Sequence, residues 1–416
     1  MSETKKNKKL EKSRLKSVLV NICRFVLAVV FIFSGYVKAI DPLGTQYKLQ
    51  DYAEAADELS IFNYQLSIAS LFPDWLTLGG SIALSALEFC LGIFLLFAIQ
   101  RRLVSRLTLA FMVVMTLVTL WLAIANPIED CGCFGDAVKL TNGQTLAKNI
   151  VLLILAVVVA WQPLRMLRFI PKSIQSIVVS LTVIFIVATS LWCLYSLPIF
   201  DFRPYHVGAN IREGMEIPED APQPKFETTF LMEKDGVQKE FSLDDYPDST
   251  WTFIDSKTVE IEKGYVPPIH DFSITLIASS PQLGGLRGAA QHPSPSIGDD
   301  LTDQILSDPN YTFLLISPHL EQADDTNFGE INQIHECAQE HGIPFYCLTA
   351  STEKPINRWI EMTGAEYPFC TTDETTLKTM IRSNPGLMLL RDGVVVGKWS
   401  HNRLPKAENL LSEARK

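Results

Sequence analysis

Five apolar runs decide what this chain can fold into. Residues 17–40, 76–99, 103–125, 146–164 and 174–197 each hold a nearly unbroken series rich in Leu, Ile, Val, Phe and Ala. A bilayer hydrocarbon core about 30 Å thick is crossed by roughly 20 helical residues rising about 1.5 Å each, so every run is long enough to span it. Lipid offers the backbone no hydrogen-bond partner, which leaves helix as the conformation for all five. The first run is longer than a signal-peptide core and leads into Lys38-Ala39-Ile40-Asp41-Pro42 without a small-residue cleavage site. It is expected to remain as a helix.

Basic residues set the orientation, because connections rich in Lys and Arg stay on the cytoplasmic side. Lys5, Lys6, Lys8, Lys9, Lys12, Arg14 and Lys16 precede the first run; Arg101, Arg102 and Arg106 mark the second-to-third connection, and Arg165, Arg168 and Lys172 the fourth-to-fifth. The intervening connections are acidic, with Asp41, Asp51, Glu54, Asp57, Glu58 and Asp74 in one and Glu129, Asp130 and Asp136 in the other. This pattern predicts a multi-pass protein of the inner (cytoplasmic) membrane with a cytoplasmic N-terminus. Everything after residue 197 is then periplasmic or otherwise extracytoplasmic. Charge divides the same way: residues 1–197 carry 18 basic and 12 acidic side chains, a net of +6, and residues 198–416 carry 18 and 34, a net of −16. So acidic an outer region argues against a nucleic-acid partner, and it is long enough to bury a core of its own.

The reactive feature is Cys131-Gly132-Cys133-Phe134-Gly135, in the third-to-fourth connection. Two thiols one residue apart can close a disulfide, but so small a ring departs from relaxed disulfide geometry and is easily reduced and exchanged. Gly132 is the residue type such a ring needs. Three chemistries fit. Thiol-disulfide exchange requires an attacking thiolate, a resolving thiol and access, and an outward loop lies in an oxidising compartment. Against exchange, Glu129, Asp130 and Asp136 are expected to raise the thiol pKa values and slow attack. Metal binding requires further ligands, and no His precedes His206, so no metal site is assigned. The third option is a structural disulfide or turn that pins the neighbouring helices together. No cofactor is evident, and a quinone stays open as electron acceptor although no motif marks a site for it. Cys193, close to the outer end of the fifth run, is placed to approach the loop, whereas Cys23 and Cys90 lie deeper and read as packing residues.

Ionisable groups within a membrane span are costly unless paired or hydrated. Glu88 falls near the middle of the second run and Arg24 about two turns into the first. Arg24 is expected either to snorkel outward or to reach Glu88 across an antiparallel helix pair. Glu88 reads equally as a group that handles protons or contacts a ligand. Lys38 is expected to snorkel to the outer surface.

The stretch Arg24 to Pro42, containing Phe33-Ser34-Gly35-Tyr36-Val37-Lys38-Ala39-Ile40-Asp41-Pro42, resembles the first helix and exit loop of the DoxX superfamily of small membrane proteins. Glu88 followed by Gly92 is similar to that family's second helix. The Cys-Gly-Cys-Phe-Gly loop resembles the MauE branch, the methylamine-utilisation membrane protein associated with maturing a disulfide-rich periplasmic enzyme subunit. The resemblance covers about residues 17–165 and implies a four-helix membrane domain. The fifth run and the outer region lie outside it.

In the outer region Pro198, Pro204, Pro218, Pro222 and Pro224 mark residues 198–226 as a semi-rigid linker. Residues 226–232 and 237–243 flank Lys234-Asp235-Gly236 and read as a hairpin opening a β-rich segment, 227–300, whose end at 284–300 reads as a long exposed loop. From 311 onward strands and helices alternate: strands at 311–317 and 343–348, helices at 327–341, 354–362 and 375–381, strands at 386–390 and 394–399 joined by Arg391-Asp392-Gly393, and a last helix from about 405. With Asn384-Pro385 just before a strand, this order resembles the thioredoxin-like fold over residues 301–416. In that fold the proline faces a redox pair at the end of the first strand. Here the place reads Ser317-Pro318-His319-Leu320, with no Cys-x-x-Cys, so the resemblance implies the fold and no activity. Cys337, Cys347 and Cys370 fit either one disulfide and one thiol or three buried thiols, and Cys370 is a candidate partner for the Cys131-Cys133 loop. His319 reads as an exposed loop histidine.

The expected architecture is a basic cytoplasmic tail (1–16), an α-helical membrane bundle of four DoxX/MauE-like helices (17–165) plus a fifth transmembrane helix (174–197), and an α/β thioredoxin-like extracytoplasmic domain. The leading function is assistance to thiol-disulfide exchange or maturation of exported proteins. Cys131 and Cys133 would be the catalytic redox pair and Glu88 a proton or ligand group, with an exported client or redox protein and the lipid bilayer as partners. The competing reading is a non-enzymatic membrane scaffold or assembly factor whose outer domain binds a partner and whose Cys131-Cys133 unit only shapes its loop. A transporter ranks third, since no inverted repeat or broken helix is visible.

Overall fold

The computed structural model describes residues 2–58, 72–128, 131–234, 237–242, 250–262, 264–278 and 296–407. Its N-terminal half is helical: α1 (Ser2–Ile40), α2 (Pro42–Glu58), α3 (Asp74–Phe97), α4 (Arg101–Ala125), α5 (Asn142–Trp161) and α6 (Lys172–Tyr195). All but α2 are long and apolar enough to cross a membrane, α1 from Glu11 onward, and the chain is a multi-pass membrane protein. Val29, Leu117, Leu181 and Ile184 are more than half exposed on the outside of this bundle, an arrangement that lipid, unlike water, favours.

Local sequence sets the helix ends. Pro42 disfavours helix at Asp41 and so ends α1 there. A capping box opens α5, with the Thr141 hydroxyl accepting from the Gln144 amide and the Gln144 side chain accepting from the Thr141 amide. Helices α1 and α3 make the closest pair in the bundle, and two glycines allow it. A Cβ on Gly35 would lie 2.4 Å from the Phe89 backbone nitrogen, and one on Gly92 would lie 2.7 Å from that of Ile32. Small residues at such a crossing let two backbones approach and gain dispersion contact where lipid supplies no hydrophobic drive. At the opposite end of the bundle the α5–α6 connection is pinned by guanidinium groups. Arg24 donates to the Leu167 carbonyl at 2.6 Å, and Arg101 donates to those of Leu164 and Met166 at 2.8 and 2.9 Å.

Beyond α6 come a short helix, α7 (Ile211–Met215), and three strands, β1 (Lys225–Lys234), β2 (Val237–Ser242) and β3 (Thr252–Glu262), which form an antiparallel sheet in the order β2-β1-β3. The expected turn at Asp235-Gly236 lies outside the described residues, as does most of the loop expected at 284–300. The remaining elements are β4 (Thr275–Ala278), α8 (Thr302–Leu306), β5 (Tyr311–Ile316), α9 (Phe328–Glu340), β6 (Phe345–Thr349), α10 (Glu353–Thr363), β7 (Phe369–Thr371), α11 (Glu374–Met380), β8 (Gly386–Arg391) and β9 (Val394–Ser400). They build a sheet ordered β4-β7-β6-β5-β8-β9, in which β5, β6 and β7 run parallel while β4, β8 and β9 pair antiparallel with their neighbours. A parallel βαβ unit beside an antiparallel hairpin makes this C-terminal domain α/β and thioredoxin-like. The helix expected from about 405 extends beyond residue 407, outside the described residues.

Both faces of this sheet are covered, as a sheet with parallel strands requires. Leu314, Ile316, Tyr346, Leu348 and Met388 point to one face with Leu377 and Met380 of α11; the alternate residues Phe313, Leu315, Phe345, Leu387 and Leu389 point to the other, with Ile334 of α9 and Trp359 of α10. The segment after α6 also packs into the domain. Tyr205 and Ile211 join the first core, and Arg203 and Lys398 hold Asp201 at 2.7 Å each. This network and α11 face the bundle.

Candidate active site

Residues 131–135 form a tight turn at the end of the bundle. Gly132 (φ +58°) and Gly135 (φ +52°) both adopt the left-handed conformation that glycine takes without strain, and the Gly135 amide closes the turn by donating to the Gly132 carbonyl at 2.9 Å. Helix α2 covers the loop. The Tyr52 hydroxyl donates to the Cys131 carbonyl, and the Lys48 stem lies so close to Gly132 that a Cβ there would be 3.1 Å from its Cγ.

The two thiols are buried and unlike. The neighbouring Cys133 thiol is the largest cause of a Cys131 pKa lowered to about 6. Burial opposes the shift, while the Lys148 ammonium assists it. The neighbouring Cys131 and burial push the Cys133 thiol well above its ordinary value. For Cys131 the direction is opposite to the one expected from acidic neighbours, whereas Cys133 is raised, by its partner thiol and burial. Asp136 is turned to Arg382, at 3.5 Å from its Nη2, while Lys148 comes in from α5 with its Nζ 4.1 Å above the Phe134 ring. Glu129 and Asp130 lie outside the described residues.

Glu88 does not pair with Arg24. Its Oε1 is 2.6 Å from Lys38 Nζ, both side chains being only 4% exposed, and its Oε2 is 2.7 Å from the Ser34 hydroxyl. The α1–α3 register explains this, since Gly35 packs against Phe89 and so brings Lys38 level with Glu88, while Arg24, 14 residues before Lys38, sits about 21 Å down the helix axis. Lys38 therefore turns inward instead of snorkelling. Arg24 is fully buried between the rings of Phe25 and Phe169, 4.6 and 5.2 Å away. Ser34 Oγ is also 2.7 Å from the Cys133 carbonyl, so the buried ion pair touches the dithiol loop.

A cavity of about 870 Å³ opens between the bundle and the C-terminal domain. Cys131, Gly132 and Cys133 lie in its wall, together with Tyr47, Lys48 and Tyr52 of α2, and Glu374, Lys378 and Arg382 from and just beyond α11. Arg382 joins the two halves. Only 7% exposed, it donates from Nε to both carboxylate oxygens of Asp41 at 2.9 and 3.0 Å, contacts the Lys378 carbonyl, and lies 5.3 Å from the Tyr47 ring centre. Burial alone would raise the Asp41 carboxyl, but the charges of Arg382 and Arg203 outweigh it and hold the group below its usual range. Three residues after Arg382 comes the cis Asn384–Pro385 bond that precedes β8.

The remaining cysteines stay away from this cavity. Cys370 is wholly buried in β7, where burial pushes its thiol up to about 12, so it is not the loop's partner. Cys193 is buried in α6 and does not line the cavity. His319 is no free loop histidine, because its Nε2 lies 2.9 Å from Glu374 Oε1. Among the described residues no group of three or more His, Cys, Asp or Glu is arranged to hold a metal. Sequence reading missed Asp41, Lys148 and Arg382. Lys148 alone left a signal, as a cation within the apolar fourth run.

Residues 16–162 match the family described as methylamine utilisation protein MauE, and residues 226–263 match a domain of unknown function, DUF8463. No curated protein sequence matches the chain. Among solved structures, a protein of Bacteroides thetaiotaomicron provisionally described as a protein disulfide isomerase, solved in solution, is similar over 35% of this chain and 82% of its own, at 13% identity and a TM-score of 0.22. The MauE-matching segment holds Ser34, Lys38, Asp41, Glu88, Cys131, Cys133 and Lys148, so every bundle residue of the dithiol site falls within it.

Proposed function

We propose that this protein performs thiol-disulfide exchange on exported proteins at the outer face of the cytoplasmic membrane, within a DoxX/MauE-like bundle. The observation that carries the reading is the pair of unlike thiols, Cys131 and Cys133, in the wall of a cavity of about 870 Å³. The match to the methylamine utilisation protein MauE covers the dithiol loop, and the Lys and Arg flanks support a cavity on the non-cytoplasmic side.

In the first step the Cys131 thiolate attacks one sulfur of a client disulfide. A Cys131–client mixed disulfide forms, and the client's other sulfur leaves as a thiolate. Cys133 then loses its proton and attacks the Cys131 sulfur, closing Cys131–Cys133 and releasing the second client thiolate. Two electrons pass from the dithiol to the client, and the reverse sequence oxidises a client dithiol. Sustained oxidation requires a two-electron acceptor, for which a membrane quinone is the chemical class that reaches a site at the bilayer edge.

The test is trapping in intact cells. Cys133→Ala removes the resolving thiol and is expected to accumulate a reducible covalent adduct on Cys131, while Cys131→Ala accumulates far less. If neither variant forms an adduct and the double variant keeps full function, exchange is wrong and the scaffold reading stands.

A further inference from the structure

The resolving step leaves a proton without an evident acceptor. Cys133 is buried and holds its proton more tightly than an ordinary thiol, yet it must lose that proton as it attacks Cys131. Behind it, on the bundle side, lies a second cavity of about 30 Å³, lined by Cys133, Ser34, Lys38, Glu88 and Lys148 among others. Its walls are mainly apolar, but the side chains of Ser34, Lys38, Glu88, Lys148 and Asn149 reach it, and its size suits a single water. The Ser34 hydroxyl lies 2.7 Å from both Glu88 Oε2 and the Cys133 carbonyl, but it carries one proton. When that proton goes to the carbonyl, the Oε2 contact is satisfied by a proton on Glu88; when it goes to Oε2, Glu88 is a carboxylate. The geometry thus accommodates Glu88 in both protonation states without moving a heavy atom.

We infer that Glu88, held by Lys38 and Ser34, accepts the Cys133 proton during resolution, relayed by a water in the small cavity. The inference rests on the exchange reading above and assigns the step Glu88 serves. As the Cys133 sulfur bonds to Cys131, the Cys131–client bond breaks, the client sulfur takes the electron pair, and the proton from Cys133 ends on Glu88. The charged and titratable groups around this path are Lys38 on α1, Glu88 on α3, Lys148 on α5, Lys48 and Tyr52 on α2, and Cys131; from α4 only the uncharged Phe111, Met112 and Met115 line the small cavity. Lys148 and Lys38 offset part of the cost of a thiolate at Cys133, and Glu88 is the carboxylate that takes its proton.

One equivalent of dithiobis(nitrobenzoate), added to the reduced full-length protein in nanodiscs on a Cys337→Ser background, separates the steps. The first nitrothiobenzoate released reports attack by Cys131, and the second reports resolution by Cys133; Cys133→Ala gives the first alone. Glu88→Gln is expected to slow the second release about 100-fold relative to the first, the range of general-base catalysis. Its rate should then keep rising with hydroxide concentration where the native rate levels off. Ser34→Ala, which keeps the Lys38–Glu88 pair and so guards against misfolding, is expected to slow the second release at least fivefold. An unchanged ratio of the two rates in both variants overturns the inference while leaving exchange intact. Native protein that releases neither equivalent overturns both.

Discussion

Two cysteines separated only by Gly132 end up chemically unlike because their surroundings differ in three dimensions. The Cys133 thiol and the Lys148 charge favour the Cys131 thiolate, and burial and its partner thiol disfavour that of Cys133. A thiol reacts as its thiolate, so Cys131 should alkylate with a midpoint near pH 6, fully reactive above it and silent as pH falls below it. Removing the Cys133 thiol takes away the largest cause of the shift. In Cys133→Ala, iodoacetamide labelling followed by mass spectrometry should place the midpoint closer to the ordinary thiol value of about 8.5. An unmoved midpoint would assign the shift to Lys148 instead. The dithiol itself was legible in the sequence, but its polarity was not. Asp136 adjoins the loop along the chain yet spends its charge on Arg382, while Lys148, more distant along the chain, lies over the Phe134 ring and favours both thiolates by its charge.

At the scale of elements, the five long helices announced themselves because spanning lipid demands an apolar length that few other structures need. Helix α2 gave no such signal: it mixes polar and apolar residues, and its role is to roof the dithiol loop with Lys48 and Tyr52. The alternation of β5, α9, β6 and the β8–β9 hairpin was equally legible, since strand and helix differ in local periodicity. The crossing of α1 with α3 was not. It depends on Gly35 and Gly92 meeting the opposite backbone, and it sets the depth at which Lys38 meets Glu88. Gly35→Val should therefore destabilise the bundle by more than the roughly 1–3 kcal/mol of ordinary overpacking, because backbone atoms cannot rotate aside. Thermal unfolding in detergent measures this, and a native midpoint would contradict the close packing. The same variant should leave the C-terminal sheet folded.

For the whole molecule the decisive contact is Arg382 with Asp41 and Asp136, which sets the C-terminal domain over the dithiol loop. Removing one partner of a buried ion pair strands the other, at a cost of about 3–5 kcal/mol. Arg382→Ala should accordingly loosen the docking of the domain and leave its own core intact. In hydrogen exchange, protection should fall in residues 41–48 and 376–382 while β5, β6 and β8 stay protected. Unchanged protection in both segments would mean that the domain is held by other contacts. Asp41→Asn, which keeps the shape and removes the charge, should give a smaller loss in the same segments.

By itself the sequence determined five membrane-length helices and a thioredoxin-like α/β domain, because apolar run length and local periodicity are properties of neighbouring residues. It also displayed Cys131 and Cys133 as the chemistry-bearing pair. Only the tertiary structure decided which thiol is the easier to ionise, that Glu88 belongs to Lys38, and that a cavity with the dithiol in its wall lies between the two halves. Those outcomes depend on groups far apart along the chain, such as Arg382 and Asp41, which are 341 positions apart. Burial makes such long-range partners stronger than any exposed neighbour in sequence, since charges held out of water interact at a lower effective dielectric.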